Sequence, residues 1–120
     1  MKDSLSSGLE FSRTFVVTDE MSPPHLPAKV LSTPSMLQLI EGTCLGGAVE
    51  HLDEGETTVG THVDISHTGP AMSGEEVVVT VRLKTRDRRR LTFAIEVRSP
   101  RGAISTGTHQ RAVVDTSRFG

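Results

Sequence analysis

The chain has no tryptophan and no tyrosine, and its only aromatic residues are four phenylalanines. The core must therefore be built from Val, Leu, Ile, Met and Ala, and a large aromatic stacking surface is excluded. A chain of 120 residues has the size of one compact domain that buries about two-thirds of its unfolded surface. We expect a single domain over residues 1–120, with the small polar segment 1–8 flexible.

A charge excess of one sign, a second cysteine and a long apolar run at the N-terminus are also missing. Thirteen basic and 15 acidic residues give a net charge of −2, which argues against the basic field that nucleic-acid binding requires. Cys44 is the only cysteine, so no disulfide within the chain is possible. No stretch resembles a signal peptide or a membrane span. We expect a cytoplasmic protein without nucleic-acid or membrane partners.

Alternation of apolar and polar residues with a period of two, the pattern of half-buried strands, recurs along the chain. It begins at residues 9–17 and, after a loop with three prolines at 19–29, returns in four segments of the second half. The residues predicted to face inward in the first four of these five segments are Leu9, Phe11, Phe15 and Val17; Thr61, Val63, Ile65 and His67; Val77, Val79, Val81 and Leu83; and Leu91, Phe93, Ile95 and Val97. Turn sequences at 86–90 and 99–103 predict hairpin connections.

One helix is predicted between the first strand and the others. The sequence STP at 32–34 combines a hydroxyl N-cap with a proline at the first helical position, and the helix should continue to about Leu52. Apolar residues lie around most of its circumference, so it must be covered on nearly all sides. The fold class is therefore α+β, an antiparallel five-stranded sheet wrapped around one long central helix. Because one such sheet cannot cover the whole helix, we expect a homodimer.

Glu41 is the only charged residue between Lys29 and Glu50. The ordinary interpretation is a carboxylate that points into solvent. Its apolar neighbours make an unpaired charge costly, by several kcal/mol, so a partner or a function should compensate. His67 is the candidate partner, because its parity with Val63 and Ile65 places it on the strand face that looks at the helix. A histidine there can also be an ordinary core residue.

Thr33 can serve as a plain N-cap, or it can bind a substrate oxyanion together with the N-terminus of the helix. In a regular helix Glu41 lies about 12 Å further along the axis. The two residues would then flank a substrate or meet through a partner subunit.

Other candidates are weaker. Cys44 is best interpreted as a small buried helix residue. His109 has ambiguous parity, and residues 88–90, three arginines, are most simply a solvated turn. A metal site is not expected, since His62 and His67 differ by five positions and project from opposite strand faces.

Four short motifs are similar to those of a known family: STP at 32–34, IEGTC at 40–44, VGTHVDISHTGPA at 59–71 and STGTHQRAVV at 105–114. Together they resemble the hotdog-fold thioesterases, specifically the fluoroacetyl-coenzyme A thioesterase group. The resemblance extends from about residue 8 to residue 119.

The resemblance implies a dimer that hydrolyses acyl thioesters in a pocket at its interface. The family's threonine, glutamate and histidine correspond to Thr33, Glu41 and His67, and a glycine near the acyl group corresponds to Gly60. His67 would be general base and acid, Thr33 would orient the carbonyl or stabilise its oxyanion, and Glu41 would attack the carbonyl or activate water. Coenzyme A would be part of the substrate, and no cofactor or metal is implied.

One segment departs from the family. The fluoroacetyl-specific enzyme has a longer, aromatic-rich lid before its helix, whereas TDEMSPPHLPAKVLS at 18–32 has no aromatic residue. The resemblance therefore does not extend to fluoroacetyl selectivity, and another acyl-CoA or carrier-bound thioester fits equally. Two alternatives are a hotdog module that binds such ligands without catalysis, and a hotdog dehydratase or cyclase.

Overall fold

The computed structural model of the protein describes residues 1–119. It contains five strands and one α-helix in the predicted order. The elements are β1 (Glu10–Val16), α1 (Thr33–Ala48), β2 (Glu56–Ile65), β3 (Glu76–Asp87), β4 (Arg90–Ser99) and β5 (Gly102–Asp115), with 3-10 turns at Asp19–Met21, Val49–His51 and Thr116–Arg118. In the part of the chain that is described, no helix has the length and apolar character needed to cross a membrane.

The five strands form one antiparallel sheet in the order β1-β3-β4-β5-β2. Two-residue turns join β3 to β4 and β4 to β5, as predicted. No hairpin was predicted between β2 and β3, and β2 in fact pairs with β5 and reaches β3 through residues 66–75. This crossover connection, residues 66–75, passes the end of the sheet beside the turn between β4 and β5. Strand periodicity identifies strands but not their partners, so the place of β2 at the sheet edge was not predicted.

The core lies between the sheet and α1. Every residue predicted to face inward on β3 and β4 is buried, and the buried helix residues recur at helical spacing. The buried helix residues are Met36, Ile40, Thr43, Cys44 and Ala48, and Leu9, Phe11 and Phe15 pack against the same core. A sheet wrapped around one helix is the hotdog arrangement, as predicted.

The ends of α1 differ from the prediction. Ser32 is the N-cap, and its Oγ accepts a hydrogen bond from the Ser35 N–H, so Thr33 is the first helical residue rather than the cap. The helix ends at Ala48 and continues as a 3-10 turn to His51, after which Leu52 is buried. The apolar pattern runs through this turn, so periodicity alone overestimates the helix length.

Residues 1–8, expected to be flexible, pack against the domain instead. Leu5 is fully buried in the core. The Lys2 N–H donates to the His51 carbonyl, the Gly8 N–H donates to the Leu83 carbonyl, and Arg86 Nη1 donates to the Leu5 carbonyl. Because only one large apolar residue occurs between Lys2 and Gly8, composition gives little sign of this packing.

β2 contains a bulge that the sequence pattern does not reveal. Gly60 pairs with Arg111 and His62 with Gln110, so Thr61 has no partner on β5. A bulge inserts one residue and reverses the parity of what precedes it. The prediction that Thr61 faces inward is therefore wrong. Val63 and Ile65 do lie on the inner face, opposite the buried His109 and the partly buried Gly107, although Val63 remains 42% exposed.

Candidate active site

Thr33 and His67 lie together at the N-terminal end of α1. Thr33 is the first residue of the helix, and His67 lies two residues beyond β2. Thr33 Oγ1 is 2.7 Å from His67 Nδ1, a hydrogen-bond distance. A hydroxyl in contact with an imidazole is the arrangement in which histidine can remove or return a proton.

The surroundings of His67 favour the neutral form of its ring. Desolvation by burial lowers the pKa of His67 below its ordinary value, and a hydrogen bond with the backbone of Gly69 opposes this effect in part. A neutral imidazole has one unprotonated nitrogen, which can accept a proton. The environment of His67 therefore suits a general base near neutral pH.

The first turn of α1 leaves a single backbone donor beside this pair. Pro34 has no N–H, the Ser35 N–H donates to Ser32 Oγ, and the Met36 N–H donates to the Ser32 carbonyl. Among the hydrogen bonds of residues 1–119, the Thr33 N–H has no acceptor. It lies at the positive end of the helix dipole, where an oxyanion is stabilised.

Glu41 is not the isolated buried carboxylate that its sequence neighbours suggest. Its side chain is 38% exposed, and Oε2 lies 3.2 Å from Nη1 of Arg111, whose side chain is only 5% exposed. The compensating partner is therefore an arginine on β5 rather than His67.

From its buried position, Arg111 donates hydrogen bonds to three residues in all, one of which is Glu41. Its Nε donates to Thr58 Oγ1 and its Nη2 to the Thr58 carbonyl, while Nη1 serves both Glu41 and His109 Nε2. The planar guanidinium is thus fixed by four contacts besides packing, which suits a residue that must hold a carboxylate in one position. Sequence analysis did not identify Arg111. Its parity with Val113 on the last strand was the signal that could have placed it inside.

His109, which was ambiguous in sequence, is fully buried in this cluster. Its Nδ1 lies 2.8 Å from the His62 carbonyl, and its Nε2 lies 3.1 Å from Arg111 Nη1. Because the guanidinium can only donate, Nε2 accepts and Nδ1 carries the proton. Desolvation by burial lowers the pKa of His109, which is consistent with a neutral ring.

Gly60 makes room for the Glu41 carboxylate. A Cβ atom on Gly60 would lie 2.8 Å from Glu41 Oε2 and 3.2 Å from His109 Cε1. Any other residue would push the carboxylate from its position. Gly60, Glu41, His109, Arg111 and Thr58 thus form one group, here called the arginine cluster.

Two separate groups of side chains result. Hydrogen bonds and ion pairs in the described part of the chain join Thr33 to His67 and Glu41 to Arg111, but they do not join the two groups. The helix is regular from Thr33 onward, so Glu41 lies about 12 Å along its axis from Thr33. Within one chain, Glu41 is therefore separated from the other two predicted catalytic residues, Thr33 and His67.

The weaker candidates have ordinary surroundings. Cys44 is buried in the core, and burial raises the pKa of its thiol to about 12, so it is not a nucleophile. The arginines at 88–90 lie at the turn between β3 and β4, where Arg88 has a positive φ of 57°. Within residues 1–119 no three His, Cys, Asp or Glu side chains are grouped in a way that could hold a metal ion.

Comparison with known proteins identifies the family and the fold. Residues 13–117 match the family described as FlK, fluoroacetyl-CoA-specific thioesterase. The fluoroacetyl-CoA thioesterase of Streptantibioticus cattleyicolor is 30% identical over 99% of this chain and 92% of its own length. A variant of FlK solved with fluoroacetate and CoA is 29% identical, covers 95% of this chain and 98% of its own, and superimposes with a TM-score of 0.88.

The same fold occurs at lower identity. A hot-dog-like protein from Thermanaerovibrio acidaminovorans is 22% identical over 98% of this chain and 90% of its own, with a TM-score of 0.88. The fold and the 30% identical relative together define a hotdog-fold thioester hydrolase. The chain belongs to the fluoroacetyl-CoA-specific thioesterase family, since the matched region covers most of its length.

Proposed function

We propose that the protein hydrolyses an acyl-CoA or carrier-bound acyl thioester to the free acid and the thiol. The observation that carries this proposal is the 2.7 Å contact between Thr33 Oγ1 and His67 Nδ1 at the N-terminus of the central helix. Two relatives, the fluoroacetyl-CoA thioesterase of Streptantibioticus cattleyicolor and the FlK variant solved with fluoroacetate and CoA, support acyl thioesters as the substrate class.

In the proposed reaction an oxygen nucleophile attacks the thioester carbonyl carbon. When the attacking group carries a proton, as water or a hydroxyl does, His67 accepts that proton, the C–S bond breaks, and the protonated His67 returns it to the leaving thiolate. When the Glu41 carboxylate attacks, it has no proton to give, so the thiolate leaves and takes a proton from solvent. Water deprotonated by His67 then hydrolyses the acyl-enzyme to the free acid. The Thr33 N–H and the helix N-terminus stabilise the negative charge that develops on the carbonyl oxygen. No cofactor takes part, so a chelator should leave turnover unchanged.

Glu41 acts at the other side of the acyl group in this proposal, either by attacking the carbonyl or by activating water. Arg111 fixes the carboxylate, and Gly60 leaves space for it. The hydrogen bond to His67 adds the Thr33 hydroxyl as a third possible source of the attacking oxygen. Mass spectrometry of acid-quenched enzyme distinguishes the routes, because an acyl adduct on a peptide with Glu41 or with Thr33 is absent if water attacks directly.

A second copy of the chain completes the site in this proposal. Val49 and Val63 leave apolar surface exposed beside α1 and β2, which indicates a missing partner. In such a homodimer the Thr33 and His67 of one chain would face the arginine cluster of the other. The 12 Å separation within one chain is thereby bridged.

The acyl group need not be fluoroacetyl. Residues 23–29, in the segment that replaces the aromatic lid, are mostly exposed and contribute no aromatic ring. A small acyl group would be less tightly enclosed by this segment, so we propose that acyl thioesters with other substituents are also hydrolysed. A non-catalytic acyl-binding module and a dehydratase or cyclase are the competing functions.

The test is a thiol-release screen over a panel of acyl thioesters with the parental protein, Glu41→Gln and His67→Ala. Loss of a general base or of a positioned nucleophile should lower kcat at least 100-fold in each variant. Circular dichroism and size-exclusion chromatography verify that both variants remain folded and keep the parental assembly state.

Unchanged turnover in both variants would refute the assignment of the site. Tight thioester binding without thiol release would favour the non-catalytic module. A product that retains the thioester bond, seen by mass spectrometry, would favour the dehydratase or cyclase.

A further inference from the structure

The contact between Thr33 and His67 depends on two chain segments that run side by side. Residues 29–31 lead into α1, and residues 71–73 belong to the crossover connection that follows His67. The Leu31 N–H donates to the Ala71 carbonyl, the Ser73 N–H donates to the Lys29 carbonyl, and Val30 and Met72 form an antiparallel bridge. This short pairing sets the distance between the helix N-terminus and the histidine.

Glu75 and Arg101 hold the crossover connection from the other side. Arg101, in the turn between β4 and β5, donates from Nη1 and Nη2 to the two oxygens of Glu75 at 2.8 and 2.6 Å. Its Nη2 also donates to the Pro70 carbonyl at 3.0 Å, and the Met72 N–H donates to Glu75 Oε1 at 2.6 Å. Both ends of the turn 70–75 are thereby tied to the same guanidinium.

This arrangement goes beyond an ordinary surface ion pair. A bidentate arginine-carboxylate pair has a fixed geometry, and here each partner also binds the backbone of the crossover connection. The Arg101 hydrogen bonds lower the pKa of Glu75 to about 2, so the pair is charged at neutral pH.

We propose that Glu75 and Arg101 are positioning residues for the Thr33 and His67 pair, since together they fix the segment that places His67 against the helix N-terminus. The proposal rests on the role proposed above for Thr33 and His67. Within residues 1–119 no hydrogen bond or ion pair joins Glu75 or Arg101 to Thr33 or His67, so both act through the backbone of 70–75.

Because the pair lies on the surface, its effect on catalysis can be measured separately from its effect on the stability of the fold. Both side chains are partly exposed, and exposed ion pairs contribute little to folding, although bidentate geometry places this pair at the upper end of their range. Loss of the pair should therefore lower Tm by less than about 4 °C. A shift of His67 by a fraction of an ångström, in contrast, can lower the rate of a positioned reaction by about tenfold or more.

The experiment compares Arg101→Ala, Arg101→Lys and Glu75→Gln with the parental protein. Arg101→Ala should lower kcat about tenfold, with a smaller change in KM. Arg101→Lys keeps the charge but not the bidentate geometry, so its activity should lie between those of Arg101→Ala and the parental protein. Glu75→Gln keeps an acceptor for the Met72 N–H and should likewise give an intermediate loss.

The matched control is Arg98→Ala, which breaks an exposed ion pair with Glu96 on β4. It removes the same kind of side chain. Within residues 1–119 Arg98 makes no side-chain hydrogen bond or ion pair with the crossover connection, so kcat should remain unchanged. If Arg98→Ala and Arg101→Ala lower kcat equally, a general loss of surface charge is responsible and the proposal is wrong.

A readout without turnover separates this inference from the proposed function. Titration of the His67 imidazole by 15N NMR, assigned with His67→Gln, should show its pKa rising toward the ordinary value in Arg101→Ala as solvent enters the loosened site. An unchanged His67 titration would overturn the positioning role even if Thr33 and His67 are essential. A changed titration with turnover unaffected by His67→Ala would instead refute only the proposed function.

Discussion

Arg111 determines the electrostatics of one half of the site. It is a buried cation whose charge is balanced by Glu41, and it fixes the tautomer of His109 by donating to Nε2. Removing either partner of such a pair leaves a charge without compensation, which costs about 3–5 kcal/mol in a buried setting. The partial exposure of Glu41 reduces that cost on its side.

The two neutral histidines predict how stability depends on pH. The pKa values of His67 and His109 both lie below the ordinary value because of burial. Between those values and about pH 6.5 the unfolded chain binds more protons than the folded chain, so the free energy of unfolding falls as pH falls. Their contribution is fully present above pH 6.5 and is lost as pH drops through the folded pKa values.

Chemical denaturation at a series of pH values checks this expectation. His109→Gln should flatten the decline of the unfolding free energy below pH 6.5, since one of the two groups is removed. His25→Gln, in the exposed loop before α1, is the control and should keep the parental slope. A parental protein whose stability does not change between pH 7 and 5 would contradict the assignment of neutral, buried rings.

The residues of the site were only partly predictable from the sequence. The oddity of Glu41 was visible because a charge among apolar neighbours needs compensation. The residue that compensates this charge, Arg111, could not be predicted. It follows Glu41 by 70 positions, and only strand pairing brings it near. Strand parity singled out His67 and the helix start singled out Thr33, and the family resemblance then grouped both with Glu41. The direct contact between Thr33 and His67 was not predicted.

Among the elements, α1 and β1 make a contact that depends on one glycine. A Cβ atom on Gly47 would overlap the ring of Phe11, at atoms close to the base of the ring that cannot easily move aside. Phe11 also packs against His51, with ring centroids 6.1 Å apart. The close approach of helix and strand therefore requires glycine at position 47.

The expected effect of Gly47→Ala is a loss of stability despite the higher helix propensity of alanine. Propensity alone would favour alanine by about 1 kcal/mol, whereas overpacking typically costs about 1–3 kcal/mol, so the net change should be destabilising. Gly42→Ala on the same helix is the control, because its Cβ would meet no atom within 4 Å of the single chain. If urea unfolding shows the same increase in unfolding free energy for both variants, the Phe11 ring moves aside at no cost and the prediction is wrong.

The order and type of the elements follow from periodicity, since both the alternating strands and the capped helix carry local signals. The bulge at Thr61 and the edge position of β2 do not. Both are determined by pairing between distant segments, for which a single sequence offers no local pattern.

For the whole molecule, the remaining apolar surface is the most informative feature. Val49, at the end of α1, and Val63, on β2, are 57% and 42% exposed, and Leu37 and Leu45 of α1 are only partly buried. The apolar circumference of the helix led to the prediction of a dimer, and the dimer stays a prediction. In the dimer proposed above, the arginine cluster of one chain would face Thr33 and His67 of the other.

Mixing two inactive variants tests whether each site is shared between chains. If Thr33 and His67 of one chain act with Glu41 of its partner, a heterodimer of His67→Ala and Glu41→Gln contains one intact site and one site with both defects. Random exchange of equal amounts makes half of the dimers mixed, so about one quarter of the parental activity should return. Co-refolding followed by the thiol-release assay measures this recovery.

The control for that experiment is a mixture of His67→Ala with Thr33→Ala. Those two residues lie in the same half-site, because they are in contact within one chain, so their heterodimer has no intact site and no activity should return. Recovery in the first mixture but not in the second establishes a composite site. Failure of both, with mixed dimers confirmed by mass spectrometry, would place all three side chains of a site in one chain. Glu41 would then have to act on a substrate that spans the 12 Å or so of helix separating it from Thr33.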